Sequence, residues 1–243
     1  MVQHKPIIPP KAQIYLEGPK DRSYELLFAF RVFRQFIKGF RTLHFLGPSI
    51  TVFGSARFSE DHPYYVMARE CGKRIAALGF NTMTGGGPGI MEAANRGAFE
   101  HGGRSIGCNI QLPYEQKLNP YVTTSITFEH FFVRKVLLVK YSYAFIIMPG
   151  GVGTMDEFYE TLTLVQTHTI TRFPIVLMGK AYYQPVLDYL KFMAEQKTIS
   201  WEDINLVLLT DSIDEAMEHI SKYIKSNYEV KPRKKRWWLF ERK

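Results

Sequence analysis

The sequence predicts a doubly wound α/β fold: a mainly parallel sheet covered by helices on both faces. Three observations carry that expectation. From Ser49 onward, short β-rich runs alternate with helix-like stretches, and each run is closed by Gly, Pro, Asn or Asp. Runs such as Phe145-Ile146-Ile147-Met148 are apolar on both faces, as strands buried beneath two helical layers must be. Two glycine-rich segments each follow a β-rich run and open a helical one, the junction expected of βαβ units.

Taken in order, the first element precedes this rhythm. Over 24–46, Leu26, Leu27, Phe30, Phe33, Phe36, Ile37 and Phe40 alternate with Arg31, Arg34, Lys38 and Arg41, which predicts a basic amphipathic helix. Its apolar stripe suits packing on the body or on a second subunit, since most such stripes are core, with contact at a membrane surface as the sharper alternative. Strands are expected at 50–54, 81–84, 105–110, 144–148, 174–178 and 205–209, with a shorter one at 125–128. The intervening helices fall at 63–78, 89–100, 130–141, 154–166, 182–195 and 213–225. This divides the chain into an extension over 1–48, one α/β domain over 49–228 and a tail over 229–243. The tail sets Trp237, Trp238, Leu239 and Phe240 between clusters of Lys and Arg.

The net charge of +8 suggests a nucleic-acid binder until its distribution is counted. Residues 1–48 hold 8 basic and 3 acidic residues, residues 221–243 hold 9 and 2, and residues 49–220 hold 14 against 18. The excess lies in the ends and the body is mildly acidic, so no nucleic-acid partner is expected. Apolar runs such as 143–148 and 204–209 fall far short of the roughly 20 residues that cross a bilayer. The first 20 residues lack an apolar h-region and a cleavage site, which predicts a cytoplasmic protein. Cys71 and Cys108 show no disulfide or zinc spacing.

The chemistry concentrates in the two glycine segments, Thr84-Gly85-Gly86-Gly87-Pro88-Gly89-Ile90-Met91-Glu92 and Met148-Pro149-Gly150-Gly151-Val152-Gly153-Thr154-Met155-Asp156-Glu157. Such loops permit positive φ and close backbone approach, so exposed N–H groups at a helix start can cradle a phosphate. Neither matches the dinucleotide fingerprint, because Glu92 and Asp156 stand where its third glycine belongs. A GxxxxGK[ST] loop is also missing from the sequence. A mononucleotide therefore fits better than NAD or ATP.

Pro149 to Glu157 meets every fixed position of Pro-Gly-Gly-x-Gly-Thr-x-x-Glu, and with Arg134-Lys135 and Gly85 to Glu92 it resembles the LOG family. These are the cytokinin riboside 5′-monophosphate phosphoribohydrolases, whose bacterial members often carry the label lysine decarboxylase. The resemblance covers about 49–179, extends to Asn119-Pro120-Tyr121 and 163–167, and implies a Rossmann-like fold. It implies hydrolysis of the N-glycosidic bond of a nucleoside 5′-monophosphate, with AMP-like and N6-modified adenines both compatible. The resemblance also implies catalytic roles for Arg134 and Glu157, with Arg134 expected to orient substrate and stabilise the leaving group and Glu157 to stabilise positive charge at C1′ or orient water.

Gly85, Gly86, Gly87, Gly89, Lys135, Gly150, Gly151, Gly153 and Thr154 are expected to bind substrate. Ser55 and Arg57, after the first strand, and Glu92 are softer candidates for the same. Glu157 is placed in the first turn of its helix, where the dipole would favour its ionised form. No metal and no cofactor are expected, and pyridoxal-phosphate decarboxylation lacks a candidate Schiff-base lysine. The family resemblance implies a homodimer. Peripheral membrane contact by the terminal arms is a further expectation, and a non-catalytic nucleotide- or cofactor-binding carrier or sensor is the alternative function.

Overall fold

The computed structural model describes residues 18–111, 117–170 and 173–227. The tail expected at 229–243 and the start of the extension lie outside the described residues.

Helix α1 (Arg22–Leu43) leads into seven strands: β1 (Ser49–Phe53), β2 (Asn81–Thr84), β3 (Ser105–Ile110), β4 (Thr124–Phe128), β5 (Ser142–Ile147), β6 (Ile175–Met178) and β7 (Val207–Thr210). They form one sheet in the order β4-β3-β2-β1-β5-β6-β7, parallel at every pairing. The connecting helices are α2 (Pro63–Ala77), α3 (Ile90–Glu100), α4 (Phe131–Tyr141), α5 (Val152–Gln166), α6 (Lys180–Glu195), α7 (Trp201–Ile204) and α8 (Ile213–Asn227).

Side chains alternate across each strand, and both faces are dry. Ile50, Val52, Ala144, Ile146, Val176 and Met178 join α2, α3 and α8 in one core. Phe53, Phe145, Ile147, Ile175 and Leu177 join α4, α5 and α6 in the other. Leu43 is buried in this second core, with Val32 and Phe36 packed against it, so α1 covers part of that face. Gly39 of α1 is required by contact, since a Cβ there would fall 2.3 Å from a methyl of Leu137 in α4.

Several boundaries move. β7 begins at Val207 because α7 occupies the residues before it, held by a reciprocal capping box between Ser200 and Asp203. α5 begins at Val152, two residues earlier than its expected start, which shifts the position of Glu157 along the helix.

The strand order reverses direction at β1, whose neighbours are β2 and β5. In an open parallel sheet the crevice outside the carboxyl ends of such a pair is where ligands bind. Backbone hydrogen bonds from Met148 N to Phe53 O (2.8 Å) and from Ser55 N to Pro149 O (3.0 Å) tie the two strand ends together at that place.

Candidate active site

The crevice holds a cavity of about 640 Å³, within the range of small-ligand sites. Ser55 and Arg57 line it from the β1 loop, Gly85 from the first glycine segment, Arg134 from α4, and Gly150, Gly151, Gly153, Thr154 and Glu157 from the second segment and α5. Residues as far apart in sequence as Ser55 and Glu157 thus converge on one strand-end crevice.

The two glycine segments are built differently. In the first, Gly86 and Gly89 adopt φ of 73° and 66°. A Cβ on Gly89 would lie 2.4 Å from Ser55 O, so the loop is pressed against the end of β1. A buried polar network holds it. Thr84 Oγ1 accepts from Gly86 N (2.9 Å) and donates to Asn95 Oδ1 (2.6 Å), while Asn119 Nδ2 donates to Gly87 O (3.0 Å) and Asn95 Oδ1 (3.0 Å). In the second segment Gly150 is packed against Thr154, but a Cβ on Gly151 or Gly153 would meet nothing within 4 Å. Internal packing does not demand glycine at those two positions. What glycine provides there is bare backbone at the start of α5, where the first N–H groups have no intrahelical acceptor. Tyr182 Oη donates to Gly150 O (2.7 Å) and braces the turn from α6.

Arg134 and Glu157 face each other across the cavity wall. Arg134 Nη2 lies 3.4 Å from Glu157 Oε1, and the two side chains are 15% and 3% exposed. Nε of Arg134 and Oε2 of Glu157 are buried without a hydrogen-bond partner among the described residues. The pair therefore neutralises itself only loosely and retains donor and acceptor capacity. Arg134 also lies over the Phe131 ring, 5.2 Å from its centroid, and close to Gly85. One guanidinium reaches towards both glycine segments.

The expected helix-dipole effect on Glu157 is corrected. Because α5 starts at Val152, Glu157 sits in the second turn, and the dipole's influence fades beyond the first. Burial instead pushes its carboxyl up to about 7, with Arg134 and Lys135 offsetting only part of that penalty. The group is poised to exchange a proton near neutrality rather than fixed as a carboxylate.

Other expected contacts turn elsewhere. Glu92 accepts from Tyr65 Oη (3.3 Å), towards the opposite core. Lys135 binds Asp156 (3.0 Å) and Glu160 (2.8 Å) away from the cavity, and these hydrogen bonds outweigh its burial and hold its pKa above the ordinary value. Gly86, Gly87 and Gly89 shape the first loop without lining the cavity. Conversely, Phe53, Met91, Ile110, Phe131 and Tyr182 do line it. They supply apolar and aromatic wall that sequence reasoning missed, since in the sequence they look like ordinary core residues.

With this geometry in place, relatives can be compared. Residues 91–220, more than half of the chain, match the family described as "Possible lysine decarboxylase". The chain belongs to this family, the LOG family. A LOG relative from Rhodococcoides fascians, named cytokinin riboside 5′-monophosphate phosphoribohydrolase, is 29% identical over 178 residues, covering 71% of this chain and 88% of that protein. The Arabidopsis thaliana enzyme of the same name is 24% identical over 188 residues, covering 76% and 88%. Among solved structures, the molybdenum cofactor carrier protein of Chlamydomonas reinhardtii aligns with a TM-score of 0.54 at 25% identity, covering 74% of this LOG chain and 99% of its own. The molybdenum cofactor binding protein of Rippkaea orientalis, at 23% identity and a TM-score of 0.53, shares the fold. Relatives of one architecture thus carry both enzyme and carrier names.

Proposed function

We propose that this LOG protein hydrolyses the N-glycosidic bond of nucleoside 5′-monophosphates, releasing the free base and ribose 5-phosphate. The observation that carries the reading is the loosely paired, buried Arg134 and Glu157 set beside an uncovered helix start in one cavity. The phosphoribohydrolase names of the LOG relatives support it.

The exposed N–H groups at Gly151 to Gly153 hold the 5′-phosphate, favoured by the positive end of α5. That anchor sets the ribose beneath Glu157. As the bond from C1′ to the base nitrogen breaks, positive charge develops on the sugar and negative charge on the base. Glu157 in its ionised form stabilises the former or takes a proton from the attacking water; the water's oxygen becomes the C1′ hydroxyl and the proton it loses ends on the departing base nitrogen, giving the neutral free base. Arg134 orients the substrate and offsets charge on the departing base, with a planar fork that Lys lacks. Among the described residues no lysine lines the cavity, which argues against a Schiff-base decarboxylase despite the family description. AMP and N6-modified adenine monophosphates fit this scheme equally.

The carrier reading draws support from the fold shared with the Chlamydomonas protein. Incubating purified protein with a panel of nucleoside monophosphates and the matching nucleosides separates the two. Base release from monophosphates and not from nucleosides is expected; tight binding without release would assign the carrier role.

A further inference from the structure

The outer face of α1 is a second chemical feature, and no residue of α1 lines the cavity used by the reaction proposed above. Leu26, Phe30, Phe33, Ile37 and Phe40 recur at intervals of 4, 3, 4 and 3, and they are 73, 59, 59, 39 and 36% exposed. A soluble helix commonly presents one apolar stripe, and α1 has already used one. Phe28 and Leu43 are buried, and Val32 and Phe36 pack against the core. A hydrogen bond from Lys38 Nζ to Thr127 O (3.2 Å) adds to the docking. The helix is thereby fixed to the body with a second, bulky apolar stripe turned outward, about 21 Å long at the α-helical rise.

We propose that this outward stripe seats the protein on an anionic lipid surface. Charge decides among the possible occupants. Arg31, Arg34 and Arg41 are exposed, flank the stripe on one side by helical geometry, and have no carboxylate partner among the described residues. The one carboxylate on α1, Glu25, lies about 100° round from Leu26. Two copies joined antiparallel along the stripe would bring these arginines together with no facing acid on the helix, and two joined in parallel would set them against the side of the partner helix that packs on its own body. A nucleic acid would satisfy the arginines but leave the phenylalanines in water. A bilayer interface of anionic headgroups over acyl chains satisfies both, with the apolar face sunk to roughly 5–10 Å. No helix among the described residues is long and apolar enough to cross a membrane, so α1 lies on the surface. The sequence of the tail, with Trp237, Trp238, Leu239 and Phe240 among Lys and Arg, has the same chemistry, and a single amphipathic contact is strengthened by a second.

The test is co-sedimentation of the full-length protein with phosphatidylcholine vesicles and with vesicles in which a third of the lipid is phosphatidylglycerol. Pelleting with the anionic vesicles alone is expected, weakened by salt. Phe33→Glu should lower the partition at least tenfold, and Arg34→Glu or Arg41→Glu about fivefold for each cation removed. These side chains are exposed, so melting curves should stay unchanged and keep the loss attributable to the surface. Failure to pellet, or undiminished pelleting of Phe33→Glu, overturns the proposal. So does a fall in oligomeric state of Phe33→Glu by sedimentation velocity without vesicle binding, which would assign the face to a second copy. Retention of single-stranded RNA in place of vesicles would overturn it as well.

Discussion

At the residue scale, Glu157 carries opposing demands. A carboxyl raised from 4.5 to about 7 binds its proton more tightly in the folded state. Its stabilising contribution is therefore complete below pH 4.5 and lost as pH rises through about 7, a difference of about 3 kcal/mol at 1.36 kcal/mol per unit. Glu157→Gln mimics the protonated form at every pH. Thermal melts should show the variant close to the parent at pH 5 and more stable than it at pH 8; equal behaviour at both would mean that burial does not perturb the group. The proposed mechanism has the reverse dependence, because in it the ionised form is the reactive one. The ratio kcat/KM should rise with pH through about 7, and a profile falling through that range would instead make Glu157 the proton donor to the leaving base.

At the element scale, the two glycine segments predict opposite responses to a methyl group. Gly89→Ala forces a side chain onto φ of 66° and into Ser55 O, and should destabilise the fold by about 2 kcal/mol or more. Gly153→Ala meets open space on a helix and should stabilise by up to about 1 kcal/mol while weakening monophosphate binding. Denaturant titration alongside calorimetric binding checks both, and parallel losses of stability would refute the distinction. These elements also show what the sequence could tell. Strands such as β5 were legible because two apolar faces leave no other home for the run. The four-residue α7 was not, because a single capping box sets it and too few residues form a periodic pattern. The convergence of Arg134, Gly85 and Glu157 was legible through the motifs that place them at strand ends. The partners of Glu92 and Lys135 were not legible because they depend on side-chain direction: Tyr65 meets one, Asp156 and Glu160 the other. The environment of Glu157 was hidden for a related reason, since its burial and its pairing with Arg134 of α4 join residues from different elements.

At the scale of the whole molecule, chain order explains why a site exists where it does. The sheet grows outward from β1 in one direction through β2, β3 and β4 and in the other from β5, so the crevice lies between two strand ends that no helix can cover. A nucleoside monophosphate bound there, as proposed, would tie both halves of the sheet together. Saturation at a hundred times the dissociation constant should add about 2.7 kcal/mol of stability, readable as a rise in melting temperature with AMP that free adenine does not reproduce. Charge follows the same division, with a mildly acidic body around the site and the basic excess in the two ends. The reaction and the lipid contact are thus assigned to separate parts of the chain, and variants of one should leave the other intact.

The most direct measurement is chromatographic detection of adenine released from AMP by the parent protein and by Glu157→Gln, with AMP affinity measured on both. Release by the parent, lowered at least about a hundredfold in the variant while affinity is retained, is the predicted result. Equal release by both proteins, or binding without release by either, would contradict a hydrolase built on Glu157.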